Sequence, residues 1–292
     1  MRNVTDQILH FNYVERKATV LTEQIVVVKD PIEITRYFKS IFERDFIGKI
    51  VSLDFNDPNA RDYVDMWVES QTGKKIKNLI PRLESVMMSL SAHYTLVRGP
   101  WNYNMKRLPM SKFKGSENVE YEFFGGIQAV VHVKNDKYER IELEIGNRDL
   151  VMDIILPTVG NLKAVANFLE SGEYLKENEK KIVEFSVPKF TITKNYASIR
   201  EFFGYPRPLM CSEGADVTHL FFPYDNVFLD DIYHANSISV DHNGVDFLGY
   251  QQTEENKLDN PSVIFKADRP FYFTVRFKPS NILLFLGHLV TP

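Results

Sequence analysis

The feature that most limits the fold lies near the C-terminus. Between Phe271 and Val290 two apolar runs, FYFTVRF and ILLFLGHLV, flank Lys278-Pro279-Ser280-Asn281. Successive side chains of a strand point to opposite faces, so Phe271, Phe273 and Val275 share one face of the first run. Two such runs joined by turn-forming residues predict a β-hairpin. So apolar a hairpin is not stable alone in water and needs further strands or a helix against it.

Other runs supply those strands. Gln128–Val133 and Glu139–Ile145 predict a second hairpin around Lys134-Asn135-Asp136. Lys181–Thr193, KIVEFSVPKFTIT, alternates with period two on both sides of Pro188. Proline has no N–H for a ladder, so this run suits an edge or a bend. Glu23–Val28 and Ser85–Val97 also read as strands. Helical signals are fewer. Asp57-Pro58 predicts a helix start, a capping carboxylate followed by proline in the first turn. Val64, Trp67, Val68 and Gln71 then recur at helical spacing, with Trp67 on the buried face. Asp62, Asp65 and Glu69 are expected on the other face, and Gly73 is a stop. Asn161–Leu169, NLKAVANFL, predicts a second helix after the strand-like VMDIILP. Strand-rich stretches separated by a few helices define an α+β fold. With no internal repeat, low-complexity tract or Pro/Gly-rich linker, a single domain over residues 1–292 is expected.

Composition narrows the function. The 35 basic and 39 acidic residues give a formal net charge of −4. That argues against a dedicated binder of nucleic acid or of acidic membranes. No apolar run approaches the roughly 18 residues that span a bilayer. The N-terminal MRNVTDQILHF has no apolar core of signal-peptide length. A cytoplasmic location is expected, with secretion open if a leader precedes this sequence. The single cysteine, Cys211, excludes an internal disulfide and fits a reducing compartment.

Catalytic patterns are missing. There is no G-x-G-x-x-G, Walker loop, G-x-S-x-G or H-E-x-x-H. The seven histidines are scattered, which disfavours a zinc site. DHNGVD, Asp241–Asp246, lacks the ligand series and closing Glu of a calcium loop. A strand ending in an Asn243-Gly244 turn is the better reading. Neither an enzyme, a metal nor a cofactor is indicated. One segment stands out instead. VDFLGYQQTEENKLDNP, Val245–Pro261, is partly apolar in its first half and polar in its second. Seventeen residues is long for a loop in a compact domain, and such loops are usually functional or disordered.

FKADRPFYFTV, Phe265–Val275, resembles the C-terminal signature of the serpin family, and ILLFLGHLVTP resembles that family's closing strand. The resemblance extends upstream. DPNARDYVDMWVESQTGKKIKNLIP, Asp57–Pro81, resembles the serpin helix F and the segment after it. YTLVRGPW, Tyr94–Trp101, resembles the end of strand 3 of the main sheet with its breach tryptophan, Trp101. SVPKFTIT resembles the Pro-Lys-Phe strand, and HANSISVDHNG, His234–Gly244, the strand that runs into the reactive loop. The resemblance implies a serpin-like α+β fold, with a large central sheet, smaller sheets and several helices. It implies that residues 245–263 form a reactive-centre-like loop, bait for a host serine or cysteine protease. In that family the cleaved loop enters the central sheet as a new strand and distorts the acylated protease.

The sequence departs from the family pattern in places. It begins near DQILHF, which resembles the end of the third helix, and the earlier helices and the fourth helix are expected to be absent. Loss of the fourth helix is a trait of compact poxvirus serpins, which implies a viral protein. One absent helix underlies the central sheet in the family. At the shutter, His234 falls where the family histidine belongs, and its usual asparagine partner falls at His93, eight residues before Trp101. The hinge departs most. Gly244 matches the family's opening glycine, but small residues are then replaced by Val245, Asp246, Phe247, Leu248, Gly249 and Tyr250. Such side chains risk overpacking a closed sheet at about 1–3 kcal/mol per site. The bait candidates are Lys257 for trypsin-like, Leu258 for chymotrypsin-like and Asp259 for aspartate-specific cysteine proteases, against the alternative that none is bait and TEENKLDN is a solvated loop. Two functions are therefore expected. One is a suicide-type protease inhibitor with impaired insertion. The other is a non-inhibitory serpin-fold protein that binds a host partner through its surface, as a virulence or immune-modulating factor. The oligomeric state is left open.

Overall fold

A computed structural model describes residues 18–46, 48–114, 119–146, 148–158, 162–163, 165–166, 169, 179–196, 219–222, 227–247, 258 and 260–292. In chain order its elements are β1 (Thr19–Lys29), β2 (Glu33–Ile34), α1 (Arg36–Asp45), β3 (Gly48–Leu53), α2 (Ala60–Thr72) and β4 (Ser89–Pro100). Then come β5 (Lys106–Lys112), β6 (Glu120–Lys134), β7 (Tyr138–Ile145), β8 (Leu150–Pro157), β9 (Lys180–Pro188) and β10 (Phe190–Tyr196). The last are β11 (Phe221–Phe222), β12 (Asp231–Val240), β13 (Gly244–Val245), β14 (Val263–Lys266), β15 (Phe271–Phe277) and β16 (Ile282–Leu289). Contacts divide the chain into two compact units, one built mainly from Val20–Leu96 and Ile192–Ser237, the other from Val97–Thr191 and Ile238–Pro292.

The first unit holds most of a six-stranded sheet in the order β10-β12-β13-β4-β1-β3. β12 runs parallel to β4, pairing Asp231 with Leu90 through to Ser237 with Leu96. Alternation gives these strands two unlike faces. Leu90, Ala92, Tyr94, Leu96, Tyr233 and Ala235 pack against Val64 and Val68 of α2 and Ile76, Leu79 and Ile80 after it. Ser91, His93, Thr95, Ile232, His234 and Asn236 occupy the opposite face and are only half-buried.

α2 differs from the helix expected at Asp57. Asp57 holds a turn instead: its carboxylate accepts the backbone N–H of Asn59 at 2.9 Å, and its carbonyl accepts from Ala60. The helix begins three residues later, behind Asn59. It stops at Gly73, whose φ of 62° is easy only for glycine. Asp65 is not on the outer face; it is buried and accepts the Ile80 N–H at 3.1 Å. Burial raises its carboxyl pKa, opposed by the Ile80 N–H and by Arg61. Gln71 is exposed and Thr72 takes the inward position, bonding the Val68 carbonyl at 2.8 Å. Trp67 is half-buried, 6.0 Å from the Tyr94 ring.

α1 is an element that the sequence reading passed over. Thr35 caps it by accepting the Phe38 N–H at 3.3 Å. Phe38, Phe42 and Phe46 line one side, and Phe42 lies so close to Gly48 that a Cβ there would fall 2.0 Å from its ring.

The second unit holds the eight-stranded sheet, β14-β9-β6-β7-β8-β15-β16, with β5 paired to β6. Both expected hairpins are present, β6–β7 and β15–β16. Asn135 closes the first by accepting the N–H groups of Lys137 and Tyr138, both at 2.9 Å. Every residue of β7 and β8 is buried. Pro188 ends β9 and β10 starts two residues later in the six-stranded sheet, so the proline marks a bend. Of the helix expected at 161–169, Lys163, Val165, Ala166 and Leu169 are helical, Leu162 is in a turn, and the other four positions lie outside the described residues. Val165 and Leu169 pack against Tyr138 and Ile155.

Candidate functional site: the root of the loop after β12

The site begins where β12 ends. Asp241 and Gly244 exchange backbone hydrogen bonds, and the Asp241 carboxylate accepts the Asn243 N–H at 2.7 Å. This four-residue turn reverses the chain. Trp101 anchors it: its indole N–H donates to the Asp241 carbonyl at 2.6 Å and its backbone N–H to Asn243. The indole is buried and stacks on Phe124, with ring centres 6.0 Å apart. Arg107 adds a contact from β5, donating to Nε2 of His242 at 3.2 Å.

Past the turn, β13 is paired on both sides. Val245 faces Val240 of β12, and Gly244 and Val245 face Pro100 and Gly99 of β4, all antiparallel. Only glycine fits at 244, because an added Cβ would lie 2.1 Å from the Gly99 carbonyl oxygen and 2.7 Å from the Pro100 Cα. Val245 is completely buried. β4 and β12 thus pair directly from Leu90 to Leu96, but each bonds to β13 further along. Asp246 ends the added strand. Its φ of 47° is left-handed, and its N–H turns to the Ser239 carbonyl at 2.7 Å. An extended strand cannot continue through that conformation.

Within the first unit, His93 and His234 are paired in register and their Nδ1 atoms lie 2.7 Å apart. Burial lowers the pKa of both, and the neighbouring His234 lowers that of His93 further, to about 4. Of the other candidates, Phe247 is half-buried just beyond Asp246, and Leu258 is half-buried. Leu248, Gly249, Tyr250, Lys257, Asp259 and Cys211 lie outside the described residues. Sequence reasoning missed the left-handed Asp246 and the Arg107–His242 contact; nothing in local spacing signals either. Among the described residues no group of three or more His, Cys, Asp or Glu is placed to hold a metal ion.

This geometry can add a strand. The two strands part at one end, and the first two residues of the following loop lie between them. It belongs to an α+β protein whose six-stranded sheet holds Gly244 and Val245 between β4 and β12.

Comparison with known proteins places that class. The family model for serpin (serine protease inhibitor) matches residues 2–292, and the chain belongs to the serpin family. An uncharacterized serpin-like protein of Thermococcus kodakarensis is 24% identical over 87% of this chain and 62% of its own length. An uncharacterized serpin-like protein of Acanthamoeba polyphaga mimivirus is 24% identical over 97% of this chain and 74% of its own. A solved thyroxine-binding globulin complexed with thyroxine matches at 18% identity and a TM-score of 0.86, over 99% of this chain and 80% of that one. The chain spans about two thirds of the length of the curated relatives it matches.

Proposed function

We propose that this chain acts as a protease-inhibitor serpin whose loop, cut by a serine or cysteine protease, extends β13 between β4 and β12. The supporting observation is that Gly244 and Val245 are already bonded to both strands. Insertion in the same register would bring Phe247 opposite Val97 and Ile238, Leu248 opposite Leu96 and Ser237, and Tyr250 opposite Tyr94 and Ala235. Gln251 would come between His93 and His234, so their mutual bond has to break. Leu96, Tyr94 and Ala235 belong to the face packed under α2. Leu248 and Tyr250 would therefore enter the crowded side, at about 1–3 kcal/mol per overpacked site. Each 1.4 kcal/mol on the barrier slows insertion about tenfold, while deacylation of the protease proceeds unhindered. Inhibition is accordingly impaired rather than efficient. The mimivirus relative is consistent with a viral setting, in which the protease would be a host enzyme.

A second reading has its own support. The left-handed Asp246 interrupts the extended backbone directly after β13. A loop that stays out leaves a non-inhibitory scaffold that binds a partner through its surface. Thermal unfolding before and after limited cleavage within residues 245–263, with the cut mapped by mass, separates the two. A large rise in midpoint is the expected result. An unchanged midpoint in a cleaved protein would sink the inhibitor reading and favour the scaffold. Partner binding that survives Lys257→Ala with Leu258→Ala would point the same way.

A further inference from the structure

We propose that His93 and His234 form an acid-released tie between β4 and β12, so that these strands part more readily as the pH falls. The tie concerns strand pairing alone; its consequence for loop insertion rests on the inhibitor reading.

The geometry allows one proton between the two rings. Their Nδ1 atoms face each other at 2.7 Å, with ring centres 4.3 Å apart. A neutral pair satisfies this contact, one N–H donating to the other's lone pair. A second proton would set N–H against N–H, with no acceptor between them and two like charges in contact. The surroundings supply no counter-charge. On β10, Tyr196 stacks over His234 at 6.2 Å and 24°, and the Lys194 ammonium lies 6.0 Å from that tyrosine ring. On β12, Asn236 bonds to His234 and favours its protonated form, but burial outweighs it and the net shift is downward. On β4 and β1, Thr95 and Thr22 bond to each other, while the Glu23 carboxylate accepts the Tyr94 hydroxyl. The cation nearby is positive, and none of these groups offers the pair a carboxylate. A doubly protonated pair is relieved only by separation towards water, which the half-exposed face permits.

The direction follows from linkage. An imidazole released to water titrates near 6.5, whereas burial and the adjacent ring hold His93 at about 4 in the closed pair. The closed state binds fewer protons than the open one between those values, so acid favours opening. For one such group the open-to-closed ratio rises about twentyfold from pH 7 to pH 5.

Hydrogen exchange tests this on the intact protein, at pH 7 and 5, with rates corrected for intrinsic exchange. Protection of Leu90–Leu96 and Asp231–Ser237 is expected to fall about twentyfold, and that of β7 and β8 to hold. In His93→Asn an amide oxygen accepts equally from neutral and protonated His234, so the fall should shrink to less than about threefold. An equal fall in wild type and variant overturns the proposal. Should His93→Asn not fold, His234→Asn repeats the test, and ¹⁵N titration of the wild-type imidazoles decides independently. His93 titrating near 6.5 in the folded protein would refute the tie. Strands that loosen in acid, in a protein whose cut loop stays out, would keep the tie and discard the inhibitor reading.

Discussion

β7 and β8 of the eight-stranded sheet and β4 and β12 of the six-stranded sheet are all interior strands, yet they are built differently. Every side chain of β7 and β8 is buried, charged ones included. Asp153 accepts from Arg140 and Arg276, both at 2.8 Å, and from Thr274 at 2.9 Å. Glu142 holds Arg276 and Lys278. The members of such a network are strongly coupled, because removing one strands the others in low dielectric. Over Leu90–Leu96 and Asp231–Ser237, β4 and β12 bury only alternate residues; on the other face neutral hydrogen bonds tie β4 to β1 through Thr95 and Thr22 and β4 to β12 through His93 and His234. Such bonds contribute about 0.5–1.5 kcal/mol each and can be exchanged for water. One sheet is closed by groups that cannot be released singly. The other carries cross-strand ties that can.

The comparison can be broken from either side. The largest effect is expected for Asp153→Ala, which leaves Arg140 and Arg276 buried without their shared carboxylate. It should lower stability by about 3–5 kcal/mol in urea unfolding. A loss below about 1 kcal/mol would mean that the network is not coupled. Gly244→Val drives a side chain into the Gly99 carbonyl. About 1–3 kcal/mol of strain is expected, with exchange protection lost at Val245 and retained in β7 and β8. Leu248→Ala should speed insertion of a cleaved loop about tenfold, seen in the time course of the rise in melting temperature. An unchanged rate would show that Leu248 does not limit entry.

The smallest effect distinguishes the two acid responses. Glu144 is buried, which raises its pKa, but Lys180, Asn102 and Arg148 outweigh burial and the net shift is downward. Its contribution is therefore present above the unfolded value near 4.3 and is lost as pH falls through the lower folded value. The histidine pair responds at higher pH, below about 6.5. Exchange measured in steps from pH 7 to 3 should loosen β4 and β12 first and β7 later. Simultaneous loosening would erase the distinction.

Much of the fold was legible because hairpins announce themselves locally. The Phe271–Val290 runs and the Asn135 turn needed only alternation and turn chemistry. α1 carries local signals too, the Thr35 cap and the Phe38–Phe42–Phe46 spacing, but they are weak beside those of the neighbouring strands. The resemblance to serpins implied that His93 lies beside His234, and β4 and β12 pair the two in register. The left-handed turn at Asp246 could not be read, since an aspartate is compatible with several backbone conformations.

By itself the sequence determined the alternating runs, the long late loop and the motifs that place the chain among serpins. These depend on neighbours a few residues apart. Only the tertiary structure decided which faces are covered. Asp65, polar and on a helix, is buried because the amide of Ile80, fifteen residues on, needs an acceptor there. His93 and His234, separated by 141 positions, meet because two parallel strands share a register. Periodicity tells a side chain which way to point along its own element. What packs against that side comes from distant chain, and burial, pKa and strand release follow from the packing.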